Sequence, residues 1–527
     1  MNPLINKSLV ATGVVVKAVI ALGFLSSSLL SGNETKLPEE MQKIMDQKKY
    51  EHAIWGVYVK DLDSGEVLFD VNARKLFSPA STTKLVSVSA LLHAFGDDYR
   101  FKTPVYAAGK IENSKLDGDL VLVGQGDLTM GGRQSSPDTI SYTKMDHIVA
   151  NDVPGAILTP EDPLHGMQEL ARQVAEKGIK EITGEIIIDD TLFEATEKRG
   201  LMLTPLIINE NLIDVIIKPA EPGKEALMSW RPQVPGYSVV NKVKTVEKGG
   251  PLDVNITPDE EGKHIVVEGT IPADQTELVR TSPIKDPSSF AKAAFIQALK
   301  QRGINVTGRA AKGKERKPLK SYEGLETVAL YTSPPLSEYA KLILKVSHNL
   351  GADLIPLLLA SKEGKKSFDE GMRMIGEFAE KEVKLSSDSF VLIDAAGGNE
   401  NRLTPEAEIE LLSYMRKKPA PSFQRFFDAL PILGVDGSLE DFAAKTPAKG
   451  KVRAKPGTGI AFNTSTGKFF LITQAYAGYI EGKNGHLHAY IVVVNNASLP
   501  EIGDIFQIFE EEGQLSDIIY SKTDGKK

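Results

Sequence analysis

The sequence predicts an α/β (α+β) protein in which one domain, an antiparallel sheet with flanking helices, is assembled from both chain ends and interrupted by a long β-rich insertion. Three observations predict it. Apolar and polar residues alternate in residues 54–71, on both sides of Asp63-Ser64-Gly65, and again in residues 469–480 and 486–494, the period of half-buried strands and a hairpin. Helical spacing appears in residues 80–95, 336–359 and 502–509. The length of 527 residues, at about 150 residues per domain, is a prior of roughly three to four domains, and the middle of the chain has a different texture from its ends.

That middle mixes short strands (residues 119–123, 185–189) with a helix at 164–177, then turns rich in Pro, Gly and Val/Ile runs, such as 265–271, with one helical stretch at 289–302 ended by Gly303. The expected division is a split domain of residues 37–105 plus 325–515, a first inserted domain at 106–220 and a second at 221–324. Residues 1–32, with Lys7, an apolar stretch broken by Lys17 and a small-residue exit, read as a secretory signal peptide. The alternative is an uncleaved membrane anchor in which Lys17 snorkels. Both imply an exported protein of the periplasm or cell envelope.

Hydrophobic residues at 41% and charged residues at 25% argue against long disorder and against a polytopic membrane protein. Cysteine is absent, which removes a disulfide framework, a zinc ribbon and a cysteine nucleophile. Lys and Arg number 62 against 70 Asp and Glu, a net charge of −8 without a long basic run, so a nucleic-acid partner is not expected.

The chemistry concentrates in Phe77-Ser78-Pro79-Ala80-Ser81-Thr82-Thr83-Lys84. Pro79 suits a loop entering a helix, and Ser81 and Lys84 at i, i+3 share one face of its first turn. A serine hydroxyl needs a base to become a nucleophile, and lysine serves only where burial or another cation lowers its pKa. Ser-x-x-Lys also occurs at Ser141, Ser282, Ser289 and Ser465, so the setting must single out Ser81. Two later elements supply it: Ser347-His348-Asn349 in the helical stretch 336–359, and Lys455-Pro456-Gly457-Thr458 before a strand pair. In the second, a lysine on an edge strand is suited to lower the first lysine's pKa, and glycine leaves room for substrate.

The order Ser-x-x-Lys, Ser-x-Asn, Lys-Pro-Gly resembles the Ser-x-x-Lys, Ser-x-Asn, Lys-Thr-Gly signature of penicillin-binding proteins and serine β-lactamases. The long interval between Lys84 and Ser347 resembles the D-alanyl-D-alanine carboxypeptidase/endopeptidase family (peptidase S13, class C low-molecular-mass penicillin-binding proteins), whose transpeptidase-like domain carries inserted domains there. Similar stretches include Leu116-Asp117-Gly118-Asp119-Leu120, Gly184-Glu185-Ile186-Ile187-Ile188-Asp189-Asp190 and the run from Leu430 to Leu439. The resemblance spans residues 40–500 and implies a penicillin-binding-protein/β-lactamase-like fold with one or two inserted β-rich domains. It implies a peptidoglycan stem peptide as substrate, β-lactams as covalent inhibitors and no metal or other cofactor; membrane association through the N-terminus follows from the anchor reading of residues 1–32. It also implies roles: Ser81 attacks, Lys84 takes its proton, Ser347 relays a proton to the leaving amine, Asn349 holds the acyl amide, Lys455 anchors charge, and Gly457 and Thr458 bind substrate.

Two positions depart from the family. Pro456 replaces the usual threonine or serine of Lys-Thr-Gly, losing a hydroxyl and a backbone N–H, with Thr458 left to keep part of that role. Asp394-Ala395-Ala396-Gly397 stands where Asp-Gly-Ser-Gly is usual. Both weaken carboxylate recognition, so the alternative reading is a catalytically weak relative that binds peptidoglycan or an envelope partner. Other signals carry less: Gly124-Gln125-Gly126-Asp127 reads as a turn; His486 and His488 as solvent-face strand residues without a carboxylate cluster; His348 as a surface histidine; and Glu510-Glu511-Glu512 as a solvated helix end.

Overall fold

The computed structural model describes residues 36–153, 155–308 and 318–524; the expected leader lies outside them. The two chain ends do meet in one sheet. Its five strands run in the order Val67–Val71, Ile54–Asp61, Leu487–Leu499, Lys468–Glu481, Val452–Asn463, every neighbour antiparallel. The two-residue period divides each central strand between two cores. Ala475, Ala477 and Tyr479 face a core shared with the helices Thr83–Phe95 and Pro405–Arg416, whereas Tyr476 and Ile480 face a second core closed by the helix Ile505–Ser521. Because both faces are covered, Leu487–Leu499 is buried almost throughout, and its alternation is one of destination rather than of polarity.

The last helix runs on to Ser521, well past the expected 509, and its acidic run is not solvated. Glu511 is 4% and Glu512 0% exposed. Tyr50 Oη and Lys49 Nζ donate to Glu511 at 2.5 and 2.6 Å, which pairs one buried carboxylate with a donor and a cation.

The middle of the chain forms its own six-stranded sheet, in which Lys102–Glu112 pairs with Glu326–Thr332 and with Lys115–Val123, and Ile186–Asp189 runs parallel to the latter. The strands Lys102–Glu112 and Glu326–Thr332 are therefore the way out of and back into the split domain, and residues 325–332 belong to the insertion rather than to that domain. Two three-stranded sheets lie within residues 212–283. The chain then returns to the six-stranded sheet: Asn305–Val306 pairs with Glu181–Ile182, and Pro287–Gln301 places Phe290, Ala294 and Phe295 in one core with Leu170 and Val174. The second insertion is thus nested in the first and shares its core, so a boundary at 220/221 does not separate them.

Residues 336–359 are not one helix. Leu336–Lys345 stops, residues 346–348 turn, and Asn349–Lys362 begins with His348 as its N-cap. Ser347 sits in the turn at φ +60, a left-handed backbone that serine occupies only where its surroundings hold it. Among the described residues no helix is long and apolar enough to cross a membrane.

Candidate active site

The nucleophile turn is built before the helix starts. Ala80–Thr82 forms a single tight turn leading into Thr83–Phe95, with Ala80 at φ +43. Sheet residues anchor it: Ser78 N–H donates to Asn495 Oδ1 at 2.8 Å, and Thr473 Oγ1 donates to Ser78 O at 2.7 Å. Two glycines press against it. A Cβ on Gly457 would stand 2.3 Å from Pro79 O, and one on Gly397, at φ +105, would stand 1.9 Å from Ala80 O. Both contacts are with backbone, so neither position tolerates a side chain without moving the turn.

Ser81 is half-buried and Lys84 fully buried. Lys84 Nζ reaches Ser81 Oγ at 2.9 Å, Asn349 Oδ1 at 2.8 Å and Ala396 O at 2.6 Å, which uses its three donor directions. Burial lowers its pKa to about 7; Asp353 opposes that shift and Arg199 adds to it. When neutral, the amine keeps two N–H donors for Asn349 and Ala396 and turns its lone pair to the Ser81 hydroxyl.

Three expected partners are arranged differently from the sequence reading. Lys455 is fully buried beside Lys84, and its Nζ donates to Pro456 O at 2.7 Å. Burial first, and Lys84 second, push its pKa far down; the cation that depresses Lys84 itself is Arg199. Thr458 Oγ1 donates to Gln474 Oε1 at 2.7 Å. Strand alternation puts that hydroxyl on the face opposite Gly457, away from the nucleophile turn. Among the described residues nothing bonds to the Ser347 hydroxyl, although the next residue but one, Asn349, reaches Lys84. Pro456 lies on an edge strand, where a missing N–H breaks no ladder that a neighbour needs.

Three contributors are absent from the sequence-based expectation, and a fourth, Asp394, appears there only as the start of a loop. Glu408, 2% exposed, lies 2.7 Å from Thr82 Oγ1, which is also 3.0 Å from Pro79 O. One hydroxyl hydrogen serves two acceptors there, a conflict that a protonated Glu408 removes by donating; burial raises its pKa to about 8. Glu408 falls on a helical stripe with Leu411, Leu412 and Met415, and a charge on such a stripe is a signal. Asp353, in the buried run 350–360, is the same kind of signal. Arg199, on the hairpin Thr196–Lys198/Leu201–Leu203 of the insertion, pairs with Asp353 at 3.1 Å and with Asp394 at 3.2 Å. Asp394 Oδ1 accepts from the N–H groups of Ala396, Gly397 and Gly398, shaping the loop that gives Lys84 its carbonyl.

Two discounted histidine signals also change. His348 is 0% exposed, not a surface residue. His488 is 1% exposed, and carboxylates do accompany the pair: Asp61, Asp63 and His486 bring ligand atoms within 4.8 Å of one another. His486 Nδ1 donates to Asp61 Oδ2 at 2.7 Å, while Asp61 Oδ1 and Asp63 Oδ2 accept backbone N–H groups, so the cluster fastens the hairpin 61–66 to the strand Leu487–Leu499.

A dry lysine poised near neutrality thus lies within hydrogen-bond distance of a half-buried serine. The sheet and helices holding the pair are those of a serine-type penicillin-binding hydrolase. The chain belongs to the D-Ala-D-Ala carboxypeptidase 3 (S13) family, which it matches over residues 37–509. It is 25% identical over 492 residues to the D-alanyl-D-alanine carboxypeptidase of Actinomadura sp. (strain R39), covering 88% of this chain and 82% of that one. Identity to D-alanyl-D-alanine carboxypeptidase DacB of Haemophilus influenzae is 22%, over 87% and 88% of the two chains. The crystal structure of penicillin binding protein 4 (dacB) from Haemophilus influenzae superposes with a TM-score of 0.69 at 19% identity, covering 91% of this chain and 99% of that one, a likeness of fold.

Proposed function

We propose that this protein hydrolyses D-alanyl-D-alanine-type peptide bonds of peptidoglycan stem peptides through an acyl-enzyme on Ser81, and that β-lactams acylate the same oxygen. The observation that carries this reading is the 2.9 Å contact between Ser81 Oγ and the fully buried Lys84 Nζ. Neutral Lys84 accepts the Ser81 proton as Oγ attacks the carbonyl carbon. The oxyanion forms against backbone N–H groups, those of Ser81 and of the edge strand after Lys455; each such donor contributes about 3–4 kcal/mol in acyl-transfer hydrolases. Lys84, now protonated, returns the proton through Ser347 to the departing amine, and Asn349 keeps the lysine aligned with its remaining N–H groups. Water then repeats the sequence on the ester, releasing the acid and restoring Ser81. Peptidoglycan as substrate places the enzyme at the cell envelope, and residues 1–32 are suited to export or anchor it.

Carboxylate capture differs from the family pattern, because Pro456 has no hydroxyl and that of Thr458 faces Gln474. This favours slow turnover of substrates with a free C-terminal carboxylate over loss of acylation. The test uses purified full chain and a fluorescent penicillin. The wild type should form one covalent adduct per chain, Ser81→Ala none, and D-alanine release from a stem pentapeptide should be lost in the same variant. An unlabelled wild type at saturating drug overturns the acyl-enzyme; labelling without D-alanine release turns the reading to a penicillin-binding module.

A further inference from the structure

Beneath the 346–348 turn lies a buried ion network contributed by the insertion. Arg133 meets Asp146 at 2.7 Å and Glu210 at 2.6 Å; His147 is held between Asp214 Oδ1 at 2.6 Å and Glu210 Oε2 at 2.9 Å; Arg231 meets Asp214 at 3.1 Å. Arg133, Asp146, His147, Glu210 and Asp214 are all at most 5% exposed. With His147 protonated between two carboxylates, its pKa raised to about 10, three cations balance three anions, and a polar cavity of about 10 Å³ remains among them, the size of one water.

The split-domain residue that meets this network is His348, between the two outer residues of the Ser347-His348-Asn349 motif. Gly351 N–H donates to its Nδ1 at 3.0 Å, which fixes the tautomer, because a ring nitrogen that accepts carries no proton. The single ring proton is therefore on Nε2. That N–H is buried without a hydrogen-bond partner and faces Asp146 Oδ1 at 3.9 Å. Asp146 is held in place by Arg133 Nη2 at 3.0 Å and by Ile148 N–H at 3.2 Å. The ring thus stands between a carboxylate held by two hydrogen bonds on one side and the first turn of Asn349–Lys362 on the other, next to a serine in left-handed backbone that needs support.

We propose that Asp146 is a positioning residue for acylation: acting through the His348 ring, it holds the 347–349 turn so that Asn349 Oδ1 meets Lys84 Nζ. The insertion then does more than enlarge the protein; it fixes one of the three motifs of the site. The inference rests on the proposed acyl-enzyme for its kinetic consequence but not for its structural one, and the experiment reads both.

In the full chain, Asp146→Asn keeps shape and removes the charge facing Nε2. Acylation by a fluorescent penicillin, normalised to folded protein and resolved into binding constant and acylation rate constant, should show the rate constant reduced at least tenfold and the binding constant within twofold. Asp146→Glu should recover part of the rate. Hydrogen exchange of the Gly351 amide, which reports the His348 cap without any chemistry, should quicken at least tenfold in Asp146→Asn. Unchanged Gly351 exchange overturns the inference whatever the rates do, and so does a normal rate constant in a variant that labels. A wild type that never labels overturns the proposed function, and exchange alone then decides this inference. Should Asp146→Asn not fold, His348→Gln, which leaves all six charges paired, should show the same slow acylation with unchanged binding; a normal rate there overturns the inference.

Discussion

Lys84 is useful because it is dry. With its pKa at about 7, the neutral amine that the proposed mechanism needs to accept the Ser81 proton is scarce below neutrality and dominant above it. Acylation by penicillin should therefore rise about tenfold per pH unit below pH 7 and level off above it, measured as labelling rate against pH; a flat profile from pH 5 to 9 would exclude Lys84 as the base. Glu408 works the other way. Its folded pKa, about 8, lies above the 4.5 of an exposed glutamate, so the folded state holds a proton that the unfolded chain has lost. Its stabilisation is complete below pH 4.5 and declines, by up to about 1.4 kcal/mol per pH unit, as pH rises to 8. In Glu408→Gln this slope should vanish from thermal unfolding curves between pH 4.5 and 6.5, below the range in which His147 titrates, while Thr82 keeps its partner. The sequence shows Ser81 and Lys84 by spacing together with the two later motifs; it marks Glu408 only as a charge on an apolar stripe and Arg199 not at all, because what each touches, Thr82 for one and Asp353 and Asp394 for the other, lies far away in the chain.

The site depends on elements approaching at backbone distance. The edge strand Val452–Asn463 passes so near the nucleophile turn that Gly457 touches Pro79 O, and the 394–398 loop presses Gly397 on Ala80 from another side. Gly457→Ala should push strand and turn apart, costing about 1–3 kcal/mol of stability by overpacking and slowing acylation more than tenfold, read by calorimetry and labelling rate; unaltered acylation would mean that the strand is free to shift. Strand periodicity made the split sheet legible, and helical periodicity revealed Thr83–Phe95 and the start of Ile505–Ser521 but not Pro405–Arg416, which covers the same face of the sheet as Thr83–Phe95. The same periodicity concealed the break at Ser347, because apolar residues recur at helical spacing on both sides of it, whereas the turn is held by His348, Gly351 and a partner in the insertion.

Across the whole molecule, the insertion and the split domain meet at a balanced ion network. Removing one member leaves a buried charge unpaired, which is costly. His147, with a folded pKa of about 10 against 6.5 unfolded, contributes stability that is complete below pH 6.5 and lost as pH rises towards 10; Glu210, lowered from 4.5 to about 2, contributes stability present above 4.5 and lost in acid. The network should thus stabilise most between pH 4.5 and 6.5. Unfolding midpoints of His147→Gln should lose the wild type's decline between pH 8 and 10, above the range in which Glu408 titrates, and a parallel profile there would show that the ring is not protonated in the fold. By itself the sequence determined the split α/β domain, the order of three motifs and the serine and lysine proposed to carry the chemistry, because periodicity and short-range spacing are properties of the chain. Only the tertiary structure decided which cation depresses Lys84, why Gly457 and Gly397 have no side chain, that Thr458 turns away, and that the inserted segments are nested and grip His348. Each of those depends on groups far apart in sequence brought within a few ångströms in a medium that excludes water, and no local pattern encodes that distance.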